Sequence, residues 1–114
     1  MSVKLTTRKV GDVTVIDAVG RITLGEGSSS FRDTIRNLVA NGEKKLLLNL
    51  GGVTYIDSSG IGELVSGYTT LTNQGGQLKL LNLTKRIQDL LQITKLYTVF
   101  EVFDDEAAGV RSFS

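Results

Sequence analysis

Two short apolar runs constrain the fold of this chain more than any other feature. Residues 46–50 are apolar except for one asparagine, and residues 78–83 repeat this leucine-rich pattern, which is typical of strands covered on both faces. Between them, residues 59–73 predict a helix, because apolar side chains recur at three- and four-residue steps and glycines follow. A strand, a helix and a second strand of these lengths predict a parallel crossover with the helix packed on a sheet.

The remaining segments extend this alternation in both directions. Residues 3–9 and 13–19, separated by Gly11-Asp12, predict a hairpin, so the sheet is mixed rather than purely parallel. Further helices are predicted at residues 28–40, after the cap-competent Thr84 and at residues 106–113, with a last strand at residues 99–103. We expect an α/β fold of one domain over residues 1–114, with a mixed sheet of four to five strands and about four helices.

The composition excludes several classes of function. The 114 residues include no cysteine and no histidine, which removes disulfides, thiol nucleophiles, most zinc sites and the usual general base. The net charge of +1 gives no basis for direct binding of nucleic acid. No apolar stretch approaches the ~20 residues that span a bilayer, and the N-terminal residues are too polar for a signal peptide. We expect a cytoplasmic protein with no membrane insertion, no metal and no cofactor.

The segment Asp57-Ser58-Ser59-Gly60 stands where a strand passes into the second helix, and it has two interpretations. Asp and Ser are preferred helix caps, so the segment is explained by the start of a helix alone. However, one cap suffices and three cap-competent residues stand in a row. Free N–H groups and the helix dipole favour an anion at this end, so a serine there can carry a phosphate. Ser58, directly after the strand, can cap the helix, whereas Ser59 is predicted to open its exposed face.

The predicted outer face of this helix consists almost entirely of small residues. Opposite the apolar stripe lie Ser59, Gly62, Glu63, Ser66, Gly67 and Thr70. A glycine inside a helix costs about 1 kcal/mol relative to alanine, so two glycines facing solvent suggest that another molecule approaches the backbone closely. A tight contact within the fold is the alternative explanation.

These segments resemble the STAS domain, the fold named for sulfate transporters and anti-sigma-factor antagonists, and especially the free-standing bacterial antagonists. The similarity covers nearly the whole chain. It rests on the hairpin ending in Gly20-Arg21-Ile22, the apolar run at residues 46–50, the segment at residues 57–62, and residues 75–80 at the start of the next strand.

The resemblance implies a partner-switching protein that is not itself an enzyme. In such systems an anti-sigma factor that is also a serine protein kinase phosphorylates the antagonist on the serine before the glycine, here Ser59. The unmodified antagonist binds that partner and frees the sigma factor, and a serine phosphatase resets the phosphorylated form. Many antagonists carry an acid shortly after the glycine that ends the second strand, where this chain has Thr23. The expected partner contacts are Asp57, Ser58, Gly62, Glu63, Ser66, Gly67, Thr70 and Thr23.

Other functions remain as alternatives. Similar domains bind without phosphorylation in signalling scaffolds and lipid-transport complexes. An enzyme would need a base positioned beside the serine, and none is evident. The loop at residues 25–28 lacks the ending of a phosphate loop and is predicted to lead into the first helix with a serine cap. Two sets of charged residues are predicted to be solvated. One set contains the acids Glu101, Asp104, Asp105 and Glu106, and the other contains the lysines Lys44, Lys45, Lys79 and Lys85.

Overall fold

The computed structural model describes residues 3–113, and its sheet contains five strands in chain order. The first two strands form an antiparallel hairpin, and every later neighbour is parallel. The strands are β1 (Val3–Val10), β2 (Val13–Ile22), β3 (Lys45–Ile56), β4 (Gln77–Leu81) and β5 (Val102–Phe103). The prediction of a mixed sheet in an α/β fold is confirmed.

Helices cover both faces of this sheet unequally. The main core lies under three helices, and a smaller apolar cluster, which includes Val15, Leu47 and Phe113, lies on the opposite face beside the fourth. Residues of β3 contribute to both cores, because Leu46 and Leu48 face one side and Leu47 faces the other. The helices are α1 (Glu26–Ala40), α2 (Ser58–Asn73), α3 (Lys85–Ile93) and α4 (Glu106–Arg111).

The two central strands are longer than predicted. β2 continues to Ile22 and β3 to Ile56, and the two remain paired to their last residues, Ile22 opposite Ile56. Two register shifts interrupt this pairing, one of them beside Gly52. Each shift breaks the alternation of buried and exposed side chains on which the prediction depended. The extension brings the end of β2 directly against the start of α2.

The predicted strand at residues 99–103 is wrong over most of its length. Lys95 adopts a left-handed conformation with φ of 62°, and a 3-10 turn follows at Leu96–Thr98. The side chain of Phe100 is buried against the core, where its ring meets Tyr68 edge to face at 5.4 Å between centroids. Packing of this aromatic pair replaces strand pairing, and only Val102–Phe103 joins the sheet.

The start of α1 also differs from the prediction. The helix begins at Glu26 with Gly25 as its cap residue, so Ser28 is not the cap. Ser28 is instead buried, and its Oγ has no hydrogen-bond partner within residues 3–113. Its backbone N–H donates to the carbonyl of Thr23 at 2.9 Å, which closes the loop between β2 and α1.

Lys79 was predicted to be a solvated charge, and this is wrong. Its side chain is only 6% exposed, because it lies on β4 beneath α4. The ammonium group donates to the carbonyl and hydroxyl oxygens of Ser112 at 3.0 Å each and pairs with Glu101 at 2.7 Å. It also lies 4.7 Å from the ring centroid of Phe113. A buried ammonium requires such partners, and here they fix the C-terminal end of the fold.

Candidate functional site

Asp57 fastens the start of α2 to the end of β2. Its carboxylate accepts hydrogen bonds from the N–H of Gly60 at 3.0 Å and from the N–H of Leu24 at 3.1 Å. Its own N–H points to the carbonyl oxygen of Ile22 at 3.3 Å. The hydrogen bonds from the N–H groups of Gly60 and Leu24 hold the pKa of Asp57 below its usual range. Asp57 is therefore the helix cap, and Ser58, which could also have capped the helix, is its first residue.

The two serines differ in exposure in the opposite sense to the prediction. Ser58 is the first residue of α2 and is exposed, whereas Ser59 is half-buried. Because Asp57 already caps the helix, the hydroxyl of Ser58 is not needed for that purpose. Ser58 is thus the serine that another protein reaches most easily, although Ser59 was expected to open the exposed face.

Gly60 is required by the close approach of α2 to the sheet. A Cβ atom at this position would lie 2.5 Å from Cγ1 of Ile56 and 2.6 Å from the carbonyl oxygen of Ile22. Both distances are far below normal contact, and the second involves backbone that cannot easily move. The glycine of the Asp-Ser-Ser-Gly segment thus serves the fold, and it sets the position at which the serines are presented.

The outer face of α2 is only partly free. Gly62 and Ser66 are exposed, Thr70 is half-buried, and a Cβ at Gly62 would meet nothing within 4 Å. Glu63 is committed to α1, because its carboxylate accepts from Nε and Nη2 of Arg32 at 3.1 and 3.0 Å and its side chain is 17% exposed. The same contact raises the pKa of Arg32. Glu63 was expected to contact a partner, but its side chain is already engaged within the fold.

Gly67 does not lie on the solvent side, and that prediction is wrong. It is buried between two elements, and a Cβ there would lie 3.6 Å from two carbon atoms of Ile35 and 3.7 Å from Leu78. The contact within the fold, given above as the alternative, explains this glycine. The helical period placed Gly67 opposite the apolar stripe, but α1 covers that side of α2.

The loop between β2 and α1 adds an apolar residue that the sequence analysis missed. Leu24 is 79% exposed, and its N–H is held by Asp57 as described. Thr23, which was expected to contact a partner, is half-buried beside it. The available signal in the sequence was a leucine directly before the glycine-rich segment at residues 25–28. Leu24, Ser58, Gly62 and Ser66 are exposed, and we refer to these four residues as the α2 surface.

Three of the four acidic residues near α4 have partners within the fold, and Asp104 is exposed. Asp105 caps α4 by accepting from the N–H of Ala108 at 2.9 Å, and Glu101 pairs with Lys79. Glu106 accepts from Arg8 at 2.6 Å, and Arg8 also bonds to Asp17 at 2.7 Å. Within the described part of the chain, no group of three or more acidic side chains is placed to hold a metal ion.

Comparison with known proteins identifies the family. The model of the STAS domain matches residues 4–109. The chain belongs to the STAS domain family. The anti-sigma-B factor antagonist of Bacillus subtilis (strain 168) is 36% identical over 66 residues, a match that spans 58% of this chain and 61% of that protein. The match therefore covers less than two thirds of the length of this relative.

Solved structures agree with the fold. The crystal structure of TM1081, a proposed anti-sigma factor antagonist from Thermotoga maritima, has a TM-score of 0.89 at 20% identity and covers 96% of this chain and 93% of its own. The Bacillus cell fate determinant SpoIIAA in its phosphorylated form has a TM-score of 0.74 at 21% identity, with 96% and 99% of the two chains covered. Among residues 3–113, no helix is long and apolar enough to cross a membrane.

Proposed function

We propose that this STAS protein is an anti-sigma factor antagonist. Its α2 surface binds an anti-sigma factor, and phosphorylation of the antagonist releases that partner. The observation that supports this most directly is the exposed Ser58 at the start of α2, where the cap is already supplied by Asp57. The B. subtilis relative is named an antagonist of the anti-sigma-B factor, and SpoIIAA has a phosphorylated form.

Exposure favours Ser58 as the phosphate acceptor, whereas the family resemblance predicted Ser59. A serine kinase must bring the hydroxyl into its own active site, which is easier for an exposed residue than for the half-buried Ser59. A phosphate adds about −1.5 to −2 charges at pH 7, and free N–H groups at the helix start can offset part of that charge. We therefore expect phosphorylation to alter the interface rather than the fold.

A regulatory role fits this site better than catalysis. A nucleophilic serine requires a nearby base, and the closest carboxylate in sequence is Asp57. Both of its oxygens accept backbone N–H groups, and its pKa lies below the usual range, so it is a poor proton acceptor. The proposed partners are an anti-sigma factor with serine kinase activity and a serine phosphatase. The alternative is a STAS subunit that binds its partner without phosphorylation.

The test is phosphate mapping in the cells that produce the protein. Intact-mass and fragment mass spectrometry should find one phosphate, on Ser58, which is lost in Ser58→Ala and retained in Ser59→Ala. Ser66→Ala is the matched control, because Ser66 is an exposed serine in the same helix. A phosphate that persists in Ser58→Ala and disappears in Ser59→Ala would restore the prediction from the sequence. If no phosphate appears under any growth condition, the alternative of a non-phosphorylated subunit replaces the proposal.

A further inference from the structure

Two arginines meet on one tyrosine ring at the carboxyl ends of β2 and β3. The guanidinium carbon of Arg86 lies 4.3 Å from the ring centroid of Tyr55, and that of Arg21 lies 5.2 Å from it. Arg21 belongs to β2, Tyr55 to β3 and Arg86 to the first turn of α3. Both arginines are exposed and the tyrosine is half-buried. We refer to Arg21 and Arg86 together as the arginine pair.

The arginine pair has no anionic partner within residues 3–113. Neither guanidinium group makes a hydrogen bond or an ion pair there, in contrast to Arg8 and Arg32, which both bind carboxylates. Asp89, one turn from Arg86, is already paired with Lys85 at 3.0 Å. A cation–π contact with a ring does not use the guanidinium N–H groups as donors to an anion, so these donors are free. The ring therefore positions two cations whose donors are available to another molecule.

This pair lies at the same end of the sheet as the α2 surface. Arg21 stands opposite Tyr55 in the β2–β3 ladder, and the next paired residues, Ile22 and Ile56, lead directly to Asp57. Tyr55 precedes Ser58 by three residues, and because consecutive Cα atoms are about 3.8 Å apart, their Cα atoms are at most about 11 Å apart. A protein that docks on Ser58 therefore comes within reach of the arginine pair.

We propose that the arginine pair binds an acidic segment of the protein that docks on the α2 surface. This inference rests on the proposed function and names the chemistry of the partner, a run of Asp or Glu residues. A guanidinium fork matches a carboxylate with two parallel hydrogen bonds. The two guanidinium groups come from separate elements and meet at a ring rather than in one polar pocket. A segment with several carboxylates can reach both of them.

The first test uses a blocked hexaglutamate peptide, with hexaglutamine as the neutral control, and follows backbone and arginine Nε signals by NMR. Hexaglutamate should shift the signals of Arg21, Tyr55 and Arg86 and bind at least tenfold more tightly than hexaglutamine. In the double variant Arg21→Gln/Arg86→Gln, the affinity for hexaglutamate should fall to the affinity that wild type shows for hexaglutamine. Lys4→Gln/Lys95→Gln, which removes two exposed charges elsewhere, should bind like wild type. Unchanged binding by the arginine double variant would overturn the inference, as would displacement of the peptide by equimolar inorganic phosphate.

The second test separates this inference from the proposed function. The anti-sigma factor that wild-type protein binds is titrated against Arg21→Gln/Arg86→Gln and against Gly62→Arg. We expect the arginine double variant to lose about tenfold or more in affinity, and to show a weaker dependence on salt than wild type. If Gly62→Arg abolishes binding and the arginine double variant binds like wild type, the inference fails and the proposed function stands. If no anti-sigma factor binds but the hexaglutamate result holds, the proposed function fails and the anion site remains.

Discussion

The starts of α2 and α4 follow the same local pattern but differ in what surrounds them. Both helices follow a strand and are capped by an aspartate, Asp57 bonded to the N–H of Gly60 and Asp105 bonded to the N–H of Ala108. Around α4, charged side chains find partners within the fold, as Lys79 and Glu106 do. Around α2, Ser58 and Leu24 remain exposed.

This difference shows which feature separates a structural helix start from a functional one. The capping aspartate is common to both and has no diagnostic value. What distinguishes α2 is that Ser58 and the nearby arginine pair are exposed and have no hydrogen-bond or ionic partner within residues 3–113. Substitutions around the two helix starts test this contrast, and the largest effect is expected at Gly60.

The sharpest test of the fold at α2 is Gly60→Ala. The added methyl group would collide with Ile56 and with the backbone oxygen of Ile22, at distances of 2.5 and 2.6 Å. We expect the free energy of unfolding to fall by about 3 kcal/mol, near the upper end for overpacking. Urea denaturation measures this loss. An alanine variant as stable as wild type would show that α2 does not approach the sheet so closely.

At the other end of the molecule, Lys79→Ala removes the cation beneath α4. The lost packing over Phe113 and the lost bonds to Ser112 should reduce the free energy of unfolding by about 2 kcal/mol. Lys79→Met, which keeps most of the stem, should lose about half as much. The control is Lys85→Ala, a surface lysine with 84% side-chain exposure, which should change stability by less than about 0.5 kcal/mol.

Lys79→Ala also tests whether the α4 end of the molecule takes part in partner binding. Folded Lys79→Ala protein should still bind the anti-sigma factor with wild-type affinity, because Lys79 lies beneath α4 and not on the α2 surface. Loss of binding by a variant shown to be folded would mean that the α4 end takes part in the function.

Gly62→Ala should separate stability from binding in the region of α2. Nothing lies within 4 Å of the added methyl, so alanine should stabilise the helix by about 0.5–1 kcal/mol. The methyl group should weaken partner binding, and Gly62→Arg should weaken it much more without loss of fold. Gln92→Arg, on the exposed side of α3, is the control. If both Gly62 variants bind like wild type, the α2 surface is not the docking site.

The smallest expected effect concerns the charge of Asp57. Because its pKa is lowered in the folded protein, its charge stabilises the fold above the unfolded pKa of about 3.9, and this contribution disappears as the pH falls through the folded-state value. Asp57→Asn keeps a capping side chain but loses the charge. Wild type should therefore be more stable at pH 7, with the difference narrowing towards pH 3. Denaturation of both proteins across this range provides the test, with Asp104→Asn as the control, and a constant difference would contradict the account.

The sequence was sufficient for the fold class because its periodic signals are local. Apolar runs, turn residues and the cap at Thr84 predicted the order of elements correctly, and Thr84 does accept from the N–H of Ile87. The errors arise where tertiary contacts decide the outcome. α1 covers Gly67, α4 and Ser112 bury Lys79, and packing of Phe100 replaces most of the last strand.

The site was predicted only in outline for the same reason. The Asp-Ser-Ser-Gly segment indicated where the site lies, but not which residue caps the helix or which serine is exposed. The exposure of each serine depends on how α2 packs against the sheet, and Asp57 is also held by the N–H of Leu24, 33 positions away. The arginine pair was not predicted either, because Arg21, Tyr55 and Arg86 come from three separate elements.

We propose above all that phosphorylation at the start of α2 switches the partner interface without altering the fold. The most direct measurement compares unmodified and Ser58-phosphorylated protein in calorimetric titrations with the anti-sigma factor, alongside NMR spectra of both free forms. We expect the phosphate to reduce affinity by about 100-fold or more, with spectral changes confined to the first turn of α2 and its neighbours. Equal affinity of the two forms, or changes that extend across the sheet, would contradict this proposal.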